Sequence, residues 1–255
     1  GGVEGYNLPI TELLASGAKV IFVATPNNPS ATLVPLAQLD LLAAELNGIL
    51  VVDEAYIDYA TKADGTSAAG LSASFIPRLA SRPNVLVLRT FSKSYSMAGA
   101  RLGLMFASEE LINHMNKVKD SYNVNALTQV AGEAALKDRE YFNWLIGATI
   151  AERTWLQKEV SSFGWSWPRT DANFALFDVG SPELAAALYA RLKAAGLLVR
   201  YWGARPDLCS KLRVTVGARP SNEKFVKLVR EALADPKVAA LVPANGKGAK
   251  RAKVA

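Results

Sequence analysis

Three short β-branched runs recur in the first part of the chain, and each opens onto a polar cluster. Val20-Ile-Phe-Val-Ala24 runs into Thr25-Pro26-Asn27-Asn28-Pro29-Ser30. Ile49-Leu-Val-Val52 runs into Asp53-Glu54-Ala55-Tyr56-Ile57-Asp58, and Val85-Leu-Val-Leu88 leads to Thr90-Phe-Ser-Lys93. Short apolar runs that deliver polar groups at their C-terminal ends fit the strands of a parallel α/β sheet. In such sheets ligands sit in the crevice outside the carboxyl ends of the strands. Asn28, Asp53, Tyr56 and Lys93 are therefore expected around one pocket.

The stretch from Thr90 to Gly103 concentrates the chemistry. It gathers an amine (Lys93), hydroxyls (Thr90, Ser92) and a guanidinium (Arg101) at one strand end. A lysine can condense with a carbonyl once desolvation lowers its pKa. Arginine and hydroxyls can grip a phosphate through short charge-assisted hydrogen bonds. Taken alone, a Ser/Lys-rich loop after a strand is more often a solvated connector; the two other clusters at strand ends tip the reading toward a site.

Composition removes several alternatives. The chain has 255 residues, half of them hydrophobic, enough for one large or two small cores. A single cysteine, Cys209, rules out an internal disulfide framework and fits a reducing cytoplasm. One histidine and one cysteine leave no set for a structural zinc site of the usual kind. No apolar run approaches a membrane span and no signal peptide opens the chain, so a cytoplasmic protein with no membrane partner is expected. The formal charge of +6 would fit a nucleic-acid binder, but Lys247, Lys250, Arg251 and Lys253 carry much of it. Residues 242–255 read as a disordered basic tail, and no nucleic-acid partner is expected. No GxGxxG follows a strand, so a nicotinamide site of the Rossmann kind has no support.

Helices are expected over residues 11–16, 35–46 and 108–119, with Asn47-Gly48 as a C-terminal stop. A loop and helical stretch is placed around residues 64–80. Strand 101–107 follows the lysine loop too closely for a helical crossover, so it should pair antiparallel. A long helical region interrupted near residues 138–141 should reach Ser162. Strands 174–179, 197–202 and 212–216, with helices 182–195 and 222–234, read as a compact α+β unit. His114 is expected at the surface, and Met97, Met105 and the five tryptophans in packing roles. The expected division is a cofactor-binding domain over 1–148, a smaller domain over 149–241 and the tail.

Pro-Asn-Asn-Pro, then Asp-Glu-Ala-Tyr, then Ser-Lys followed by Gly-x-Arg-x-Gly resembles the fold-type I pyridoxal-phosphate aminotransferases. The resemblance covers about residues 5–233. Asp53-Glu-Ala-Tyr-Ile-Asp-Tyr59 and Val118-Lys-Asp-Ser-Tyr-Asn-Val-Asn125 are most similar to the histidinol-phosphate branch of that family. It implies an α/β fold, with a mainly parallel sheet in the large domain and a smaller α+β C-terminal domain. It also implies pyridoxal 5'-phosphate as cofactor, L-histidinol phosphate and 2-oxoglutarate/glutamate as substrates, and a homodimer. Lys93 would carry the cofactor and shuttle protons. Asp53 would pair with the pyridine nitrogen; otherwise it is a structural acid capping a nearby helix.

Asn28 and Tyr56 would meet the cofactor's phenolic oxygen, or else serve as a turn asparagine and a core-edge tyrosine. Thr90, Ser92 and Arg101 would hold its phosphate, with small neighbours Gly99 and Gly103 permitting close approach. Arg213, in Leu212-Arg-Val-Thr-Val-Gly217, would bind the substrate's carboxylate or phosphate, and Arg200 would add a second positive charge. Where the family usually has Thr-Gly after the proline, this chain has Ser30-Ala31. The family's cofactor-cradling turn and the aromatic residue stacked on the ring lie upstream of the matched region, so a C-terminal portion cut within the large domain is expected. Competing readings are an aromatic amino-acid aminotransferase, a phosphate-ester decarboxylase of the same fold, and a non-catalytic binding module.

Overall fold

The computed structural model describes residues 7–61 and 72–243. The opening glycine-rich stretch, part of the 64–80 stretch and residues 244–255 of the expected basic tail lie outside the described residues. The chain divides into two compact units, one of residues up to 28 and 32–147, the other of 29–31 and 148 onward.

The first unit is built on a four-stranded sheet. After helix α1 (Ile10–Ala15) come strand β1 (Val20–Ala24), helix α2 (Leu36–Glu45) and strands β2 (Ile49–Asp53), β3 (Val85–Thr90) and β4 (Gly103–Phe106). Their spatial order is β1-β2-β3-β4. The first three are parallel, with Val20 opposite Ile49 and Leu50 opposite Val85. β4 turns back antiparallel on β3, pairing Gly103 with Thr90, as the short connection requires. All three parallel strands thus end on one side, bringing Asn28, Asp53 and Lys93 to the same edge of the sheet.

Leu39, Leu42 and Ala43 of α2 are buried and pack with Ile21, Val23, Leu50, Val52, Val85 and Val87. The end of α2 differs from expectation. The helix stops at Leu46 in an extended conformation, and Gly48 is needed for close approach: a Cβ there would lie 2.5 Å from the Lys19 carbonyl oxygen. The helices α3 (Glu109–Val118), α4 (Ala126–Lys137) and α5 (Arg139–Ser161) follow. Ser108 caps α3 and Asn125 caps α4 through side-chain oxygens that accept from Leu111 N and Thr128 N. His114 lies exposed on α3, four residues from Glu110.

The second unit carries strand β5 (Phe174–Asp178), helix α6 (Pro182–Ala194), strands β6 (Arg200–Tyr201) and β7 (Lys211–Thr215), and helices α7 (Arg219–Ala234) and α8 (Pro236–Ala239). The sheet order is β5-β7-β6, all antiparallel. β6 is shorter than the expected 197–202, because Leu197 N still bonds back to Leu192 O and Leu198 faces solvent. α7 begins earlier than the expected 222, since Pro220 in its first turn is preset for a helix start. Among the tryptophans, Trp155, Trp165 and Trp167 pack in or against this core, but Trp144 is 62% exposed, contrary to the packing role expected of it.

Candidate active site

β2 ends in two adjacent carboxylates, and strand alternation sends them to opposite faces. Asp53 is half-buried, and its Oδ1 accepts the Ala55 N–H at 3.0 Å. Glu54 is 1% exposed and does the structural work. Its Oε1 accepts from Phe75 N (2.6 Å), and its Oε2 accepts from Ser74 Oγ (2.8 Å) and Arg89 Nε (2.8 Å). Burial lifts the Glu54 carboxyl above its usual range, against the pull of the Arg89 charge and those hydrogen bonds. The structural acid weighed for Asp53 is therefore present one residue later.

Arg89 extends the network to the lysine loop. Its Nη1 donates to Asp58 Oδ1 at 2.9 Å, and Asp58 Oδ2 accepts from Ser94 Oγ at 2.6 Å. Asp58 and Ser94 thus tie the loop after β2 to the residue next to Lys93. The sequence reading missed Glu54, Asp58, Arg89 and Ser94; the signal available was a charged residue, Arg89, inside an otherwise apolar strand.

The lysine loop is closed by main-chain bonds, Phe91 N to Leu102 O (3.1 Å) and Met97 N to Phe91 O (3.0 Å). α4 braces it from behind. Thr128 Oγ1 donates to Ala100 O at 3.4 Å, and a Cβ on Gly132 would come within 2.5 Å of Leu102 Cδ2. Within this frame Lys93 is half-buried rather than buried, its Nζ 5.4 Å from the centre of the Tyr56 ring. Thr90 Oγ1 accepts the Ser92 N–H at 3.1 Å. Arg101 adopts a left-handed conformation (φ 53, ψ 39), its guanidinium donating to Ala98 O at 2.9 Å. A non-glycine residue there is strained, and such strain gathers where side chains must be aimed.

These residues line one open cavity of about 530 Å³. Asp53, Thr90, Ser92, Lys93 and Arg101 all face it, with Arg89, Ala98 and Gly103. Tyr56 is not among the lining residues, though its ring centre lies 5.4 Å from Lys93 Nζ. Asn28 is exposed on the loop after β1 and is not among the lining residues. That loop is held by Asn27 N to Thr32 O (2.8 Å) and by Val34 N to Thr25 Oγ1 (3.0 Å). Ala31 in it adopts φ 63, the backbone a glycine would take without cost, so the departure from Thr-Gly preserves the path of the loop under strain.

In the second unit Arg213 of β7 and Arg200 of β6 are direct cross-strand partners, so both side chains stand on one face of the sheet. The Arg213 guanidinium lies 4.9 Å from the Phe174 ring centre and 5.8 Å from that of Trp202, and the Arg200 guanidinium lies 5.4 Å from Trp202. The sequence reading set Trp202 aside as packing; its spacing of two residues from Arg200 was the signal that it shares that face.

An amine, a carboxylate and a hydroxyl–guanidinium group at the C-terminal ends of parallel strands are the groups that suit a phosphorylated carbonyl ligand in an α/β protein. The model of the family described as Aminotransferase class I and II matches residues 7–231, and the chain belongs to that family. Histidinol-phosphate aminotransferase 1 from Nostoc sp. is 39% identical over 229 residues, which cover 89% of this chain and 61% of that protein. The crystal structure of histidinol-phosphate aminotransferase from Sinorhizobium meliloti in complex with pyridoxal-5'-phosphate superposes with a TM-score of 0.75 at 24% identity, over 92% of this chain and 62% of that one. A decarboxylase from Sulfurospirillum multivorans shares the fold, with a TM-score of 0.73 at 19% identity over 87% of this chain and 64% of that one. The chain thus spans less than two thirds of the length of these relatives, and the fold is the fold-type I α/β arrangement.

Proposed function

We propose that this chain supplies the lysine, the ring-nitrogen partner and the phosphate grip of a pyridoxal 5'-phosphate-dependent aminotransferase. In this reading it transfers the amino group of L-histidinol phosphate to 2-oxoglutarate in histidine biosynthesis, as a cytoplasmic homodimer. The observation that carries the reading is one cavity lined by Lys93, Asp53, Thr90, Ser92 and Arg101 together. The relatives' names support the substrate.

The residues present fit the cofactor. Asp53 uses Oδ1 on the Ala55 N–H and has Oδ2 left for a protonated ring nitrogen. Beside Arg101, a Cβ on Gly99 would meet nothing within 4 Å, which leaves room for a phosphate. When bound, the cofactor supplies the carbonyl that takes up the amino group and a ring that withdraws electrons.

The chain's own groups do the rest. Lys93 Nζ would be the amine that holds the cofactor, and it would move a proton at the substrate Cα. Asp53 would hold the protonated ring nitrogen and favour its positive charge. Thr90 and Ser92 offer hydroxyls, and Arg101 a guanidinium, to the cofactor phosphate. Tyr56 and Asn28 donate toward the phenolic oxygen. Arg213 and Arg200 bind the substrate anions: the phosphate of histidinol phosphate in one half-reaction and a glutamate carboxylate in the other.

The test is Lys93→Ala in the full-length gene product. Turnover of histidinol phosphate should fall by at least ~100-fold, with loss of the protonation-dependent visible absorbance of bound cofactor. Turnover within a few-fold of wild type would overturn the assignment. A wild-type enzyme that uses phenylalanine but not histidinol phosphate would move the reading to an aromatic aminotransferase. Release of carbon dioxide from a phosphorylated amino acid would move it to a decarboxylase, and no bound cofactor at all to a non-catalytic module.

A further inference from the structure

Arg200 and Arg213 pose an electrostatic problem, and one ring, Trp202, faces both of them. Like charges at directly opposed positions of an antiparallel pair repel, and long side chains at a sheet surface would splay into water. Arg200 is exposed, and among the described residues it forms no salt bridge. What it does face is the Trp202 indole, 5.4 Å from ring centre to guanidinium, while Arg213 faces the same indole at 5.8 Å. The negative face of an indole attracts a guanidinium without neutralising it. A carboxylate partner would hold Arg200 equally well, but would compete with an anionic ligand.

We propose that Trp202 is the specificity-determining residue of the substrate-anion site. By holding Arg200 beside Arg213 it builds a two-guanidinium receptor for a phosphate monoester. The geometry of the ligands supports the distinction. A carboxylate has one planar pair of oxygens and is satisfied by one guanidinium fork. A phosphate dianion presents three oxygens in a pyramid and can accept from two forks at once. Arg213, flanked by Phe174 as well, keeps a second aromatic neighbour at 4.9 Å when Trp202 is lost; Arg200 does not. Loss of Trp202 should therefore weaken phosphate binding and spare carboxylate binding.

The inference rests on the proposed reading for the location of the substrate anion, so the experiment separates the two. Trp202→Leu and Trp202→Phe are made in the full-length holoenzyme. Inorganic phosphate binding is followed by calorimetry, and KM and kcat are measured for histidinol phosphate and for glutamate. Trp202→Leu should weaken inorganic phosphate and raise KM for histidinol phosphate by roughly tenfold, leaving its kcat and the glutamate KM within about threefold. Trp202→Phe, which keeps an aromatic face, should stay within about threefold of wild type on every measure, including where Trp202→Leu fails to fold. Equal losses for phosphate and glutamate, unchanged phosphate binding in Trp202→Leu, no phosphate binding by the wild type, or a Trp202→Phe variant as impaired as Trp202→Leu would each overturn the proposal. A wild type that binds phosphate in a Trp202-dependent way yet does not turn over histidinol phosphate would leave the proposal standing and overturn the assigned substrate.

Discussion

The two units are held together by different physics. From residue 148 onward, Leu156, Val160, Phe177, Leu188 and Val229 form a closed apolar core, each at 1% exposure or less. The four-stranded sheet instead buries one face of its edge strand: Ile21 and Val23 are covered, while Val20 is 48% and Phe22 71% exposed. Parallel sheets are ordinarily covered on both faces, and α4 and α5 likewise show Leu127, Val130 and Trp144 to solvent. Yet the cavity lined by Asp53, Lys93 and Arg101 sits in this less enclosed unit. Its local order at the site comes from ions and hydrogen bonds, through Glu54, Arg89, Asp58 and Ser94, more than from apolar burial. Oil stabilises one unit, and a polar network aims the groups of the other.

Removing Glu54 should break that contrast most visibly. Glu54→Ala leaves the half-buried Arg89 guanidinium with one of its two carboxylate partners gone, and strips an acceptor from Ser74 and Phe75. The expected cost is ~3–5 kcal/mol, read by chemical denaturation; a cost under about 1 kcal/mol would show the network to be incidental. Next comes the closed core. Leu188→Ala, at a fully buried position of α6, should cost about 2–5 kcal/mol by transfer and cavity terms together. If the units are energetically separate, that loss should appear in the denaturation of residues 148–243 and leave cofactor binding unchanged.

A smaller change should go the other way. Ala31→Gly places the freer residue at φ 63 and should stabilise the chain by about 1 kcal/mol, with turnover unaltered. Smallest is Glu152→Gln. Hydrogen bonds from Arg219 hold the Glu152 carboxyl below its usual range. An acid with a depressed folded pKa contributes stability above its unfolded value, and that contribution is lost as pH falls through the folded one. The glutamine variant should therefore melt within about 2 °C of wild type near neutrality, and its melting temperature should decline less below the ordinary glutamate pKa. A larger effect at neutral pH would mean that surface pairs matter to this unit more than its core implies.

Much of the layout was legible in the chain itself. The three apolar runs became the parallel strands, and the short link after Lys93 foretold the antiparallel β4. That Thr90, Ser92, Lys93 and Arg101 share one cavity could be anticipated because they are near one another in sequence. What escaped depended on distant partners. Asp53 and Glu54 look alike on paper, and only the approach of Ser74, Phe75 and Arg89 distinguishes the cavity-lining acid from the buried one. The pairing of Arg200 with Arg213 depends on the register between β6 and β7, set by the reversal over residues 203–210. Gly48 reads as a helix stop, while its need comes from the Lys19 carbonyl crossing above it. β6 was overestimated because an apolar Leu-Leu-Val run is strand-like wherever it falls, and here its first residues still belong to the end of α6.

The turn-back of β4 has a kinetic consequence. β1 must find β2 from Val20 to Ile49, and β2 must find β3 from Leu50 to Val85, each across a long intervening segment. β3 and β4 meet from Thr90 to Gly103 with only the lysine loop between. Closing a short loop costs less chain entropy than closing a long one, and local pairings form faster. The hairpin carrying Lys93 should gain amide protection in pulse-labelled refolding before the parallel strands do. On that order of events, the loop carrying Lys93 is an early seed onto which the slower crossover strands assemble, and defects in it would be felt first during refolding.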